Sequence, residues 1–161
     1  MKGIVDQFTK QAAGFSAGAP LRNPDGLAKI VKLAKLAPGE SVVDLGSGPG
    51  IVACAFAKAG AGRVLGIDAT PAMLEQARQE ARAQGVTAAV AFEQGDVYAT
   101  GQASGAFDVA VSRFVLHHLE RPVEALREMR RVARRRLVLA GRAEAIPLPC
   151  CSCLFFFAPQ T

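Results

Sequence analysis

Three aspartates and a run of alternating glycines carry the chemistry open to this sequence. Asp44 stands two residues before Gly46-Ser47-Gly48-Pro49-Gly50, Asp68 closes Gly66-Ile67-Asp68, and Asp96 follows Gly95. Each acid falls at the end of a short apolar run, and in a parallel sheet those strand ends are where ligands bind. A carboxylate accepts hydrogen bonds only, so it suits hydroxyl and amino groups. Asp68 is placed to accept from both hydroxyls of a ribose. Asp96 is placed to accept from an adenine amino group, with Val97 as an apolar wall beside it.

A glycine-rich turn between a strand and a helix also serves dinucleotide-binding folds, where a pyrophosphate rests on the helix N-terminus and the usual spacing is Gly-x-Gly-x-x-Gly. Here the spacing is Gly46-x-Gly48-x-Gly50, and Asp44 precedes it. A carboxylate at that point repels a pyrophosphate and attracts an ammonium or a sulfonium. Cationic S-adenosylmethionine therefore fits better than NAD. Glycines at 46, 48 and 50 are expected to let the ligand approach the backbone closely, while the helix dipole faces its carboxylate.

The elements that must hold these residues alternate. Asn23-Pro24-Asp25 reads as an N-cap with proline in the first turn, and Leu27, Ile30, Val31, Leu33, Ala34 and Leu36 recur at helical spacing up to Pro38-Gly39. Strands are expected at residues 41–45, 63–68, 88–92, 107–112 and 137–140. Helices are expected at 51–59, at 72–84 after Thr70-Pro71, and at 122–134. Strands separated by helices imply a right-handed, parallel α/β sheet.

Composition narrows the class further. At 161 residues, 50% hydrophobic and 20% charged, the chain can bury a real core. No apolar run approaches the ~18 residues that span a bilayer, and the first residues lack the apolar stretch of a signal peptide, so a cytoplasmic protein is expected. Cys54 stands apart from Cys150, Cys151 and Cys153. Adjacent cysteines do not match the spaced pairs of a zinc site, and no metal is expected. The net charge of +5 owes much to Arg127, Arg130, Arg131, Arg134, Arg135 and Arg136. These read as the solvated C-terminal end of a helix, where cations oppose the macrodipole. No aromatic residues interleave with them, which argues against a nucleic-acid partner.

Residues 42–50, Gly66-Ile67-Asp68-Ala69-Thr70-Pro71-Ala72-Met73-Leu74, Gly95-Asp96, Phe107-Asp108 and Val111-Ser112-Arg113-Phe114-Val115-Leu116-His117-His118-Leu119 resemble the successive motifs of class I S-adenosylmethionine-dependent methyltransferases. The branch they look most like is the small-molecule type that includes quinone-biosynthesis C-methyltransferases, and the likeness covers about residues 5 to 140. It implies a Rossmann-like three-layer sandwich with a mainly parallel sheet. It implies that Asp44, Gly46, Ser47 and Gly48 contact the methionine part, Asp68 the ribose, and Asp96 with Val97 the adenine. Gly50, Ala69, Met73 and Ser112 complete the expected cofactor-binding set. Arg113 would lie beside the reactive methyl, and His117 or its neighbour His118 would be the base wherever the acceptor must lose a proton. The implied reaction is in-line transfer of a methyl group to a small-molecule acceptor, without a metal.

The chain departs from the family after residue 140. The step from the arginine-rich helix to the fifth strand, residues 132–137, leaves little room for a reversal, and the family's usual C-terminal β-hairpin has no counterpart. In its place, Pro147, Pro149 and Pro159 interrupt any regular element, and Leu154-Phe155-Phe156-Phe157 is too apolar for a relaxed solvated end. The tail is expected either to be a truncated end that leaves the fifth strand exposed, or to cover that edge or a partner subunit. A homodimer through the exposed edge or the tail follows from the same reasoning. The expected organisation is a cofactor-covering segment at 1–22, a binding domain at 23–141 and an atypical tail at 142–161. A non-catalytic S-adenosylmethionine-binding fragment or interaction protein is the alternative reading.

Overall fold

Alternating burial along the strands builds two cores, one on each face of one sheet. In β1 (Ser41–Leu45), Val42 joins the first core while Val43 and Leu45 join the second. Val64 of β2 (Arg63–Asp68) faces the first core, and Leu65 and Ile67 face the second. The same period of two runs through β4 (Phe107–Arg113), where Val109 and Val111 oppose Ala110, as the pleat requires. The computed structural model describes residues 23–141 and the backbone of a further strand, Leu154–Phe157. The segment 1–22 and Cys150, Cys151 and Cys153 lie outside the described residues.

The first core is roofed by α1 (Pro24–Ala34), α2 (Ile51–Lys58) and α3 (Pro71–Ala83), with Ile30, Phe56, Leu74 and Ala77 fully or nearly buried. The second is covered by α4 (Pro122–Val132), through Ala125, Met129 and Val132. The α1 start is as the sequence predicts, with the Asn23 side chain accepting from the Asp25 and Gly26 N–H groups. The helix ends at Ala34, earlier than expected, because Lys35 takes a left-handed conformation and donates its N–H to Lys32 O.

Six strands lie in the order β3-β2-β1-β4-β5-β6. The first five run parallel, with β3 at Val90–Gln94 and β5 at Ala133–Ala140. β6 (Leu154–Phe157) pairs antiparallel to β5, with Leu137 opposite Phe157 and Ala140 opposite Leu154. This is the Rossmann-like sheet that the sequence implies. The order reverses between β1 and β4, and the crevice there is where such sheets bind ligands.

Three expectations change. β3 starts two residues later than predicted, because Val86 to Ala89 forms a turn in which Ala89 N–H donates to Val86 O. The fifth strand is not an exposed edge: the apolar quartet of the tail pairs with it, so dimerisation through an uncovered β5 is not supported. The largest change concerns the arginines. α4 stops at Val132, and Arg134, Arg135 and Arg136 lie in β5 rather than at a solvated helix end. Acids brought beside them by the sheet take them: Arg134 pairs with Asp108 of the neighbouring β4 at 2.7 Å, and Arg135 and Arg136 pair with Glu40, just before β1. No loop separates α4 from β5; the helix passes into the strand at Ala133.

Candidate functional site

At the C-terminal ends of β1, β2 and β4 the chain buries a carboxylate that the described residues leave poorly satisfied. Asp44 is 1% exposed, and among the described residues neither of its oxygens has a well-formed hydrogen bond. Burial is the main reason its pKa rises to about 7, and the nearby Asp68 charge adds to the rise. The Ala53 amide, near the N-terminus of α2, and Arg113 pull it back part of the way. A buried acid in this condition costs the fold free energy unless a cationic or donating group meets it.

The glycine turn wraps the end of β2. Gly46 and Ser47 both donate their N–H groups to Ile67 O, at 2.8 and 3.0 Å. Gly48 N–H donates to Asp68 Oδ2 at 2.8 Å, and Thr70 N–H donates to Asp68 Oδ1 at 2.9 Å. Asp68 thus fastens the turn and starts α3. The Thr70 side chain also bonds this carboxylate, and with about four lone-pair sites on its two oxygens a carboxylate so engaged still has acceptor capacity for a ligand hydroxyl. Burial raises its pKa, against the pull of these N–H groups.

The glycines divide by role, which the sequence alone does not show. A side chain at Gly48 would meet nothing within 4 Å, so this position opens to a ligand. A Cβ at Gly46 would stand 2.5 Å from Val115 Cγ2, and one at Gly50 would stand 2.8 Å from Ala77 and Phe92. Those two glycines make room for the protein's own packing, and only Gly48 leaves the space expected of all three. All three have positive φ, from 50° to 76°, which glycine alone adopts freely. Gly66, to which the motif gives no ligand role, is needed too: a Cβ there would meet Phe92 and the Ser47 hydroxyl. Ser47 Oγ is buried and unpartnered beside this gap.

The remaining predicted residues fall around this centre with differing access. Ser112 is buried and donates to Leu45 O at 2.7 Å, tying β4 to β1. Arg113 lies over the Phe114 ring, 4.8 Å from its centroid, and burial lowers its pKa while Asp44 raises it. Asp96 begins a turn after β3 and accepts from Tyr98 N–H at 2.9 Å; Gly95 N–H donates to Asp68 O, which brings this turn next to the β2 end. Gln94 reaches across to Ala69 O. Met73 and Val97 are 2% and 7% exposed, and Val97 belongs to the second core. His117 is exposed on the 3-10 turn Leu116–His118, its ring 3.9 Å from that of His118. Burial and the neighbouring His117 lower the pKa of His118.

Sequence reasoning missed Val115, whose residue type carries no chemical signal, and the clasp that holds the Asp96 turn. Arg121 lies over the Tyr98 ring at 4.4 Å, and Glu128 accepts from the Thr100 N–H and hydroxyl. Among the described residues no cluster of His, Cys, Asp and Glu could hold a metal ion, and no helix is long and apolar enough to cross a membrane.

Comparison with known proteins identifies the family to which this fold and sequence belong. The methyltransferase domain family matches residues 43–140. A ubiquinone/menaquinone biosynthesis C-methyltransferase of Bdellovibrio bacteriovorus is 34% identical over 137 residues, covering 81% of this chain and 57% of that protein. The crystal structure of YcgJ from Bacillus subtilis superposes with a TM-score of 0.68 at 31% identity, over 72% of this chain and 50% of that one. Magnesium protoporphyrin IX methyltransferase from Synechocystis, solved with bound SAH, gives 0.63 at 27% identity over 72% of this chain and 54% of that one. The chain thus spans little more than half the length of these relatives. Asp44, Gly48 and Asp68 fit S-adenosylmethionine, the cofactor that the family and its neighbours indicate. With a sheet, a glycine turn and a sequence that all align with these proteins, the chain belongs to the class I S-adenosylmethionine-dependent methyltransferase family.

Proposed function

We propose that this chain transfers a methyl group from S-adenosylmethionine to a small-molecule acceptor. The carrying observation is the poorly satisfied Asp44 carboxylate, 1% exposed at the switch point of the sheet, where a ligand ammonium would supply the missing donors. Asp68 would accept from the ribose hydroxyls through its remaining lone pairs, and the open space at Gly48 would take the methionine part. Asp96 would accept from the adenine amino group, with Val97 behind it and Ala69 and Met73 on the α3 side. When bound, S-adenosylmethionine would supply a methyl already activated by a cationic sulfur, open to in-line attack by an acceptor nucleophile, with the sulfur leaving as a neutral thioether.

The protein's own work is then to orient the acceptor and exclude water, and orientation alone supplies up to ~7 to 11 kcal/mol of such barriers. Arg113 and Ser112 close β4 beside this crevice. His117, or His118 in its neutral form, would hold the acceptor's proton where the nucleophile must lose one. The likeness to a quinone-biosynthesis C-methyltransferase supports a small organic acceptor.

Calorimetric titration with S-adenosylmethionine, S-adenosylhomocysteine and NAD tests this reading. Micromolar binding of the two adenosyl ligands and none of NAD is expected. A folded protein that binds neither adenosyl ligand would remove the reading.

A further inference from the structure

Between the glycine turn and the histidines lies one residue whose side chain touches the first and whose backbone carbonyl bonds the second. After β4 the chain does not continue as a strand. Phe114 takes φ +57°, the left-handed region that bulky residues avoid, and its N–H is held by Ala140 O at 2.7 Å. This reversal lays Val115 over β1. The two γ carbons of Val115 occupy the space that a Cβ on Gly46 would need, at 2.5 and 2.9 Å from it. Gly46 is itself pinned through its N–H to Ile67 O. On its other side, the Val115 carbonyl accepts the His118 N–H at 2.9 Å and so closes the turn that carries both histidines, and Leu116 anchors that turn in the second core.

We propose that Val115 is a positioning residue that couples the glycine turn to the histidine turn, so that a ligand seated on the first sets the place of His117 and His118. A strained backbone held from both sides persists where its surroundings fix it, and here the surroundings are the two turns themselves, met through the contact with Gly46 and the His118 N–H. The coupling rests on the reading that the glycine turn takes an adenosyl ligand.

The chain has two histidines, so their ring signals in a 15N-labelled protein are assigned by His117→Gln and His118→Gln. Saturating S-adenosylhomocysteine is expected to displace the ring signals of the wild type. Val115→Ala is expected to keep its affinity within about threefold and to lose most of that displacement. Val115→Ile, which keeps both γ carbons, restores it. Equal displacement in wild type and Val115→Ala, or unmoved rings at saturation in the wild type, overturns the proposal. Absence of binding in the wild type would count against the cofactor reading alone, and the coupling is then decided in the free protein. There Gly46→Ala, which must push Val115 aside, is expected to move the ring signals, and adding Val115→Ala is expected to return them. Rings that stay in place in a folded Gly46→Ala protein overturn it. Alanine at φ +72° is strained in itself, so where that variant does not fold, free Val115→Ala decides: ring signals that move and are restored by Val115→Ile support the coupling, and signals unchanged from the wild type overturn it.

Discussion

The two ends of the sheet bury the same kind of side chain and treat it in opposite ways. At the N-terminal end, Asp108 is 8% exposed and fully engaged. It accepts from the Ser41 N–H and hydroxyl and from Arg134, and against the cost of burial these donors hold its pKa down to about 2. At the C-terminal end, among the described residues, Asp44 has only the weaker pull of the Ala53 amide and of Arg113, and burial sets its pKa at about 7. Asp108 stabilises the fold through its partners. Asp44 destabilises it until a ligand arrives, and that difference separates a structural acid from a binding one better than residue type can.

The sharpest way to break the contrast is Asp44→Asn. Removing the charge is expected to weaken adenosyl-ligand affinity about a hundredfold, since hydrogen bonds to a charged acceptor contribute roughly 1.5 to 3 kcal/mol each; calorimetry reads this, and unchanged affinity would take Asp44 out of the site. The free protein should gain stability. Because the folded pKa of Asp44 lies above its unfolded value of 3.8, its penalty is absent in acid, grows as pH rises toward 7 and is complete above that. Urea melts at pH 8 should therefore favour the variant, on the order of 1 to 3 kcal/mol, and melts at pH 4 should not.

Asp108→Ala tests the other end, with the opposite pH sign. A loss of about 2 kcal/mol is expected, seen as a fall in Tm of roughly 5 °C with ligand affinity kept. The contribution of Asp108 is present above its unfolded pKa and is lost as pH falls toward 2, so the wild type and the variant should converge in acid.

Asp68 serves both purposes, so Asp68→Ala should fall between the two. About a tenfold loss of affinity is expected, together with about 1 kcal/mol of stability from the released Gly48 and Thr70 N–H groups. Loss of stability with affinity intact would make it a turn residue only. The smallest effect belongs to Arg135→Ala. Its side chain is 55% exposed, and an ion pair of that kind contributes roughly 0 to 1 kcal/mol. Denaturation in high and low salt would show whether even that much is present.

Much of this was legible because two signals are local. Asn23-Pro24 announces a helix start, and a buried acid before alternating glycines announces a turn and the charge of its ligand. The fate of Arg134, Arg135 and Arg136 was not legible: a cluster of arginines reads as a solvated helix end, and their extension depends on Glu40 and Asp108, which are far away in sequence and brought beside them only by the sheet. The same holds for the glycines. Positive φ can be guessed from Gly46, Gly48 and Gly50 alike, but whether the missing methyl makes room for a ligand or for Val115, Ala77 and Phe92 depends on tertiary packing. The apolar quartet at 154–157 was expected to end up against the sheet edge or a partner, and its backbone pairs with β5.

The direct passage from α4 into β5 leaves the chain without slack at that point. One residue inserted after Val132 would slip the strand by a single step, turning Val138 out of the first core and its arginines away from Glu40 and Asp108, since side chains in a strand alternate between faces. The exposed turn at Gly85 between α3 and β3, in contrast, could lengthen at little cost, because loop closure grows only slowly with length. Any tag or sensor grafted onto this domain belongs there, and the junction at Ala133 is where an added or deleted residue does most harm.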